Sequence, residues 1–123
     1  MTRPILVVED DADSRALLAT MLECEGEQVI TAANGVDAIR LARSHRPYLI
    51  LLDLMMPVMD GEGFRRRQLE DPEICQIPVC VTSARHDAPA IARRLEAVGC
   101  VEKPIDVAQM MAVVREHRLD RRH

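Results

Sequence analysis

The chain has 123 residues, 48% of them hydrophobic and 29% charged, with a formal net charge of −4. This is the balance of one globular unit with a single core, and it excludes a disordered chain. With 2% aromatic residues and no net positive charge, a base-stacking or phosphate-tracking surface is also excluded. No apolar run approaches the ~20 residues of a membrane span, and nothing has the pattern of a signal peptide. A cytoplasmic protein without direct nucleic-acid or membrane contact is expected.

The run Ile5-Leu6-Val7-Val8 stops abruptly at Glu9-Asp10-Asp11. Short unbroken aliphatic runs with turn formers after them suit strands buried on both faces of a parallel sheet. Asp11 to Ser14 offers cap residues, after which Leu17, Leu18, Met21 and Leu22 recur at helical spacing until Gly26. Gln28 to Thr31 reads as a second strand, poorly apolar and suited to an edge. Asn34-Gly35 turns the chain into a helix with Ala38, Ile39, Leu41 and Ala42 inward, closed by Pro47. Tyr48 to Leu52 forms the third strand and ends in Asp53. The loop Asp53 to Gly61 leads to a helix weakened by Gly61 and Gly63, with Phe64 and Leu69 as core anchors. Arg65-Arg66-Arg67 reads as a solvated face of that helix.

Ile77-Pro78 introduces a fourth strand, Val79-Cys80-Val81, which stops at Thr82-Ser83. Asp87 and Pro89 start a helix that carries Ile91, Leu95 and Val98. Gly99 opens a brief fifth strand ending at Lys103-Pro104, and Asp106 caps a last helix with Val107, Met110, Met111 and Val114 inward. Five β-α units in alternation predict an α/β fold: a doubly wound parallel sheet with five helices and right-handed crossovers, residues 1–123 forming one domain. The expected strand order is 2-1-3-4-5, the flavodoxin-like winding, whose switch point lies between strands 1 and 3.

Those two strands end in Glu9-Asp10 and in Asp53, so ligand chemistry is expected on that rim. The acids there repel one another unless a cation neutralises them. Oxygen ligands of this kind suit a hard divalent ion, Mg²⁺ foremost and Mn²⁺ as the alternative. A carboxylate beside such an ion can accept a phosphoryl group as an acyl phosphate. Lys103 adds a compact positive charge and Thr82 a hydroxyl donor. Taken singly these residues read as caps and turns, and their joint placement is what points to a site. Cys24, Cys75, Cys80 and Cys100 form no C-x-x-C pair and read as reduced, core-packed thiols. His45, His86, His117 and His123 show no metal-ligand spacing and read as surface residues.

Over essentially its full length the chain resembles the receiver domain of bacterial two-component response regulators. The resemblance is carried by Ile5-Leu6-Val7-Val8-Glu9-Asp10-Asp11, by Asp53-Leu54-Met55-Met56-Pro57-Val58-Met59-Asp60-Gly61, by Val81-Thr82-Ser83-Ala84 and by Lys103-Pro104. It implies a signalling switch rather than a metabolic enzyme, phosphorylated by a sensor histidine kinase or a histidine phosphotransfer protein. By the same resemblance Asp53 is the phosphoacceptor. Glu9, Asp10, Asp53 and the backbone carbonyl of Met55 hold Mg²⁺, Thr82 is the switch hydroxyl, and Lys103 contacts the phosphoryl oxygens. Met56, Pro57 and Gly61 shape the loop, and Pro104 sets the turn after Lys103. A dimer through the helix face beside strands 4 and 5 is a further expectation, and a downstream protein or fused effector is left open.

One position departs from the family, which commonly has Tyr or Phe three residues before the lysine as a side chain that swings on phosphorylation. Here it is Cys100, read either as a small core filler or as a redox-sensitive thiol favoured by Lys103. The signal is then expected to leave through the loop after Thr82 and the helix from about Asp87 to Val98. Two other classes stay open on sequence. An aspartyl-nucleophile phosphatase of the haloacid-dehalogenase kind is faintly echoed in Asp11-x-Asp13, but usually needs a longer, capped chain. A flavodoxin-like electron carrier would need a hydroxyl-rich phosphate loop and flavin-stacking aromatics.

Overall fold

The computed structural model describes residues 3–56 and 59–118. Its elements alternate as β1 (Ile5–Val8), α1 (Ala12–Cys24), β2 (Val29–Ala32), α2 (Gly35–His45), β3 (Leu49–Asp53), α3 (Gly61–Leu69), β4 (Val79–Ser83), α4 (Ala88–Arg94), β5 (Gly99–Glu102) and α5 (Val107–Arg118). The five strands form one parallel sheet in the order β2-β1-β3-β4-β5, the predicted winding.

Alternate residues of each aliphatic run serve opposite faces. Ile5, Val7, Leu49 and Leu51 pack with Leu18 and Leu22 of α1 and with Met110, Met111 and Val114 of α5. Leu6, Val8, Ile50 and Leu52 pack instead with Ala38 and Ala42 of α2 and with Phe64 of α3. Val81 continues that second face under α4, among Ala88, Ile91 and Ala92. Each fully buried Leu or Ile is worth roughly 1.5–3 kcal/mol, so the strand runs supply most of the driving force.

Two helix starts follow the predicted caps: Asp11 accepts from the Ser14 N–H at 2.8 Å and Asp106 from the Gln109 N–H at 3.2 Å. Asn34, expected as a turn, accepts from the Asp37 N–H at 2.8 Å, and Asp60, read only as part of a loop, accepts from the Gly63 N–H at 2.7 Å. Asp87 makes no such bond, and α4 stops at Arg94 rather than near Val98.

Several apolar assignments are corrected. The buried stripe of α3 is Gly61, Phe64, Arg65 and Gln68, an i, i+3, i+4, i+7 set in which two positions are polar. Arg65 is therefore not solvated, and Leu69, turned away from that stripe, is 46% exposed. Leu17 is 60% exposed because α1 buries only the narrow ridge Leu18–Leu22. Val98, in the turn before β5, and Val107, on the first turn of α5, are also exposed. Of the cysteines only Cys80 is buried, while Cys24 is exposed and Cys75 and Cys100 are half-buried. All four are free thiols. His45 and His86 are exposed, and His117 is half-buried, its Nδ1 2.9 Å from the Val113 carbonyl. Pro57, Val58 and His123 lie outside the described residues.

Candidate functional site

The parallel register brings the strand ends together. Val8 pairs with Leu52, Asp53 with Thr82, and Ser83 with Glu102. Glu9, Asp10, Asp53, Thr82 and Lys103 consequently meet on the carboxyl rim, as expected from the switch point. One oxygen from each of Glu9, Asp10 and Asp53 lies within 4.8 Å of the others. Asp10 is exposed at the mouth, whereas Glu9 and Asp53 are buried. Thr82 is buried beside Asp53 at the end of β4.

Lys103 reaches into this cluster from the end of β5. Its Nζ lies 2.8 Å from Glu9 Oε2 and 3.6 Å from Asp53 Oδ2. The backbone holds it there, since Lys103 N–H donates to the Ser83 carbonyl at 3.0 Å. The Lys103–Pro104 peptide bond is cis. Three carboxylates against one ammonium leave a deficit that a divalent cation would balance. Burial pushes the Glu9 carboxyl above its ordinary range, the Lys103 bond works against this, and the nearby Asp53 charge adds to it. Burial alone would lower the Lys103 ammonium, but the Glu9 bond and the charges of Asp53 and Glu9 hold it above the ordinary lysine value.

Asp53 is further fixed by the Met55 N–H, which donates to its Oδ1 at 3.1 Å. The Met55 side chain is exposed, which leaves the mouth open on that side. Gly61 explains how the loop folds back so tightly. A Cβ there would stand 2.8 Å from Leu54 Cα and 2.9 Å from the Asp53 carbonyl oxygen, and Gly61 N–H donates to the Leu54 carbonyl. Any side chain would push the loop off the end of β3.

Two contributors were not read from the sequence. Arg15 of α1 donates from Nη1 to the carbonyls of Glu9 (2.9 Å) and Asp10 (3.3 Å), fixing the backbone that aims both acids. Its signal was available, as an arginine one turn into the helix that follows the acid pair. Arg85 forms a two-bond pair with Asp87 and approaches Met55 Sδ at 3.7 Å, on the exposed side of the rim. Nothing in the spacing announced that.

The donor set fits a hard cation: all oxygen, close together and under-neutralised. Among the described residues no helix is long and apolar enough to cross a membrane.

The sequence matches the family described as response regulator receiver domain over residues 5–115. It is 30% identical over 120 residues to the polar-differentiation response regulator DivK of Brucella anthropi, covering 95% of this chain and 97% of that one. Among solved structures, the receiver domain of a signal transduction histidine kinase from Syntrophus aciditrophicus is 30% identical, with a TM-score of 0.84 over 97% of this chain and 92% of that one. The receiver domain of the sensor histidine kinase PA1611 from Pseudomonas aeruginosa shares the fold at 24% identity and a TM-score of 0.85, over 96% of this chain and 98% of that one. That protein has magnesium coordinated in its active-site cleft. With the family match spanning nearly all of a sheet wound in the receiver order, the chain belongs to the response regulator receiver domains, the phosphorylation-dependent signalling modules of two-component systems.

Proposed function

We propose that residues 1–123 act as one cytoplasmic receiver unit in which Asp53 accepts a phosphoryl group from a histidine kinase or a histidine phosphotransfer protein. The observation that carries this reading is Asp53 itself, a buried carboxylate at the end of β3 with Lys103 Nζ 3.6 Å away and two further acids beside it. A carboxylate oxygen of Asp53 attacks phosphorus, the P–N bond to the donor imidazole breaks, and an acyl phosphate forms. Attack by water later releases inorganic phosphate and restores the carboxylate.

The chain's own groups position this transfer, which depends mainly on alignment and charge neutralisation. Met55 N–H holds Asp53 Oδ1, so Oδ2, on the Lys103 side, is the reactive oxygen. Lys103 moves from pairing the carboxylates to pairing the phosphoryl oxygens. Thr82, one strand over, donates its hydroxyl to the same group. Glu9, Asp10, Asp53 and the Met55 carbonyl would hold Mg²⁺, and the ion would supply charge neutralisation for the phosphoryl oxygens. The α4–β5–α5 face is the surface offered to a downstream partner or to a second copy.

Incubation with acetyl phosphate and Mg²⁺ should add one phosphoryl group by mass, and Asp53→Asn should abolish it. An unchanged yield in that variant would overturn the assignment. Thr82→Ala and Lys103→Ala should still permit some labelling of Asp53.

A further inference from the structure

Arg65 is the only arginine or lysine buried among the described residues, and the phosphoryl chemistry makes no use of it. Its guanidinium leaves α3 and donates from Nε to the Leu95 carbonyl at 2.9 Å and from Nη2 to the Glu96 carbonyl at 3.2 Å. These carbonyls lie at the carboxyl end of α4, where a helix has no backbone partners of its own and where a cation suits its dipole. A third bond runs from Nη1 to Gln68 Oε1 at 2.7 Å. Gln68 is fully buried, and its amide donates to the carbonyls of Ile74 (2.9 Å) and Ile77 (2.8 Å), in the lead-in to β4. The Arg94–Glu62 ion pair is a second tie between α4 and α3. Glu96 itself turns the chain with φ at 57°.

The opposite end of α4 is built differently. Asp87 makes no side-chain cap bond, and Ala84, Arg85 and His86 are exposed. Beyond the buried first residue Ala88, whose N–H donates to the Arg85 carbonyl at 3.3 Å, the loop is held by Arg85 N–H donating to Ser83 Oγ and by the half-exposed Arg85–Asp87 pair. Only residues 83–87 separate this end from Thr82. One end of the helix is therefore anchored by a buried cation and the other is joined to the switch hydroxyl.

We propose that Arg65, supported by Gln68, is a positioning residue that pins the carboxyl end of α4, so that movement of Thr82 on phosphorylation swings the amino end of the helix about Leu95–Glu96. The proposal rests on the reading of Asp53 as phosphoacceptor. It accounts for signal output without an aromatic at position 100, because a helix hinged at one end converts a small displacement at Thr82 into a tilt of the α4 surface. An apolar residue in place of Arg65 would leave the Leu95 and Glu96 carbonyls without these donors and would free that end.

Backbone amide shifts recorded with and without beryllofluoride and Mg²⁺ test the hinge. In the wild type the changes should be several-fold larger at Ala84–Ala88 than at Leu95–Ala97. In Arg65→Met they should spread to Leu95–Ala97, with Arg65→Lys between the two, while acetyl-phosphate labelling of Asp53 persists in both. Comparable changes at the two ends of α4 in the wild type would overturn the hinge without any variant having to fold. An Arg65→Met protein that melts earlier yet keeps the wild-type pattern would make Arg65 merely structural and would also overturn it. A wild type with no response anywhere would overturn the phosphoacceptor reading and the hinge together.

Discussion

The sheet buries a glutamate at each end, and the two are treated in opposite ways. Glu9, on the carboxyl rim, has one cation, Lys103, and shares it with Asp53 while Asp10 stands alongside. Glu27, near the amino ends of β2 and β3, accepts from the Tyr48 hydroxyl and pairs with Arg118 of α5. The first cluster has more negative charge than its partners can neutralise. The second matches one carboxylate with a hydroxyl and a guanidinium. A buried carboxylate therefore signals function only where its neighbours leave it short of positive charge, and at the amino end the same residue type fastens the last helix to the sheet.

Removing one charged group from each end should separate these roles, and the larger effect on activity belongs to the rim. Asp10→Ala should slow acetyl-phosphate labelling of Asp53 by at least roughly 100-fold, about 2.7 kcal/mol of transition-state stabilisation. It should also remove the rise in melting temperature that Mg²⁺ gives by mass action, and raise metal-free stability by relieving repulsion. Labelling that survives chelation and the substitution alike would show that the rim needs no ion. At the other end, Arg118→Met takes the Arg118 guanidinium away from the buried Glu27 carboxylate. Breaking a buried pair by removing one partner costs about 3–5 kcal/mol when both charges are well shielded. Arg118 is 28% exposed on its side chain, so a loss of roughly 1–3 kcal/mol is expected by urea denaturation, with Asp53 labelling unchanged. Equal losses of labelling in the two variants would erase the distinction between the ends.

The rim was legible in the sequence because its ingredients are local. Each aliphatic run reveals its own stop, and parallel winding then places every stop on one edge, so Glu9, Asp53, Thr82 and Lys103 could be grouped without knowing any contact. The amino-end cluster was not legible, because Glu27 and Arg118 are 91 positions apart and neither sits at the end of an apolar run. The stripe of α3 failed for a different reason. Helical periodicity identifies buried positions by their apolar residues, and here two of those positions hold Arg65 and Gln68, whose polar atoms are satisfied by carbonyls just past the end of α4 and in the turn before β4. Leu69, the residue that looks like an anchor, is displaced to the surface by that arrangement.

An acid outside both clusters gives a finer test, through pH. Asp71 accepts the Glu73 N–H at 2.9 Å and the Arg43 guanidinium at 2.6 Å, and these bonds hold its carboxyl below the ordinary aspartate value. The folded protein then binds fewer protons there than the unfolded chain does. Stability from this group is complete above the unfolded pKa of about 3.9 and drains away as pH falls through the lower folded value. Asp71→Asn should therefore narrow its stability gap from the wild type in acid and keep a constant gap from about pH 5 upwards. A gap that kept growing above pH 6 would mean that another group is responsible.

The smallest effect is expected at Cys100, which lies near the rim without belonging to it. It is half-buried, pairs in register with Val81 and packs against the cluster under α4. Burial pushes its thiol pKa up and the Glu102 charge adds to this, so Lys103 does not activate it as a redox-sensitive group would require. The core-filler reading of the sequence is the one these surroundings favour. A cysteine also has one short χ1 arm, too little volume to fill or vacate a cleft as Thr82 moves. Cys100→Ser should then keep Asp53 labelling and the beryllofluoride response of α4 at wild-type levels, losing at most about 1 kcal/mol for a hydroxyl half-buried among apolar neighbours. Thiol alkylation at neutral pH should be slow at Cys100 compared with the exposed Cys24. If the substitution abolished the α4 response while Asp53 was still labelled, strand β5 would transmit the signal after all, and nearness to the rim rather than charge imbalance would mark the functional residues.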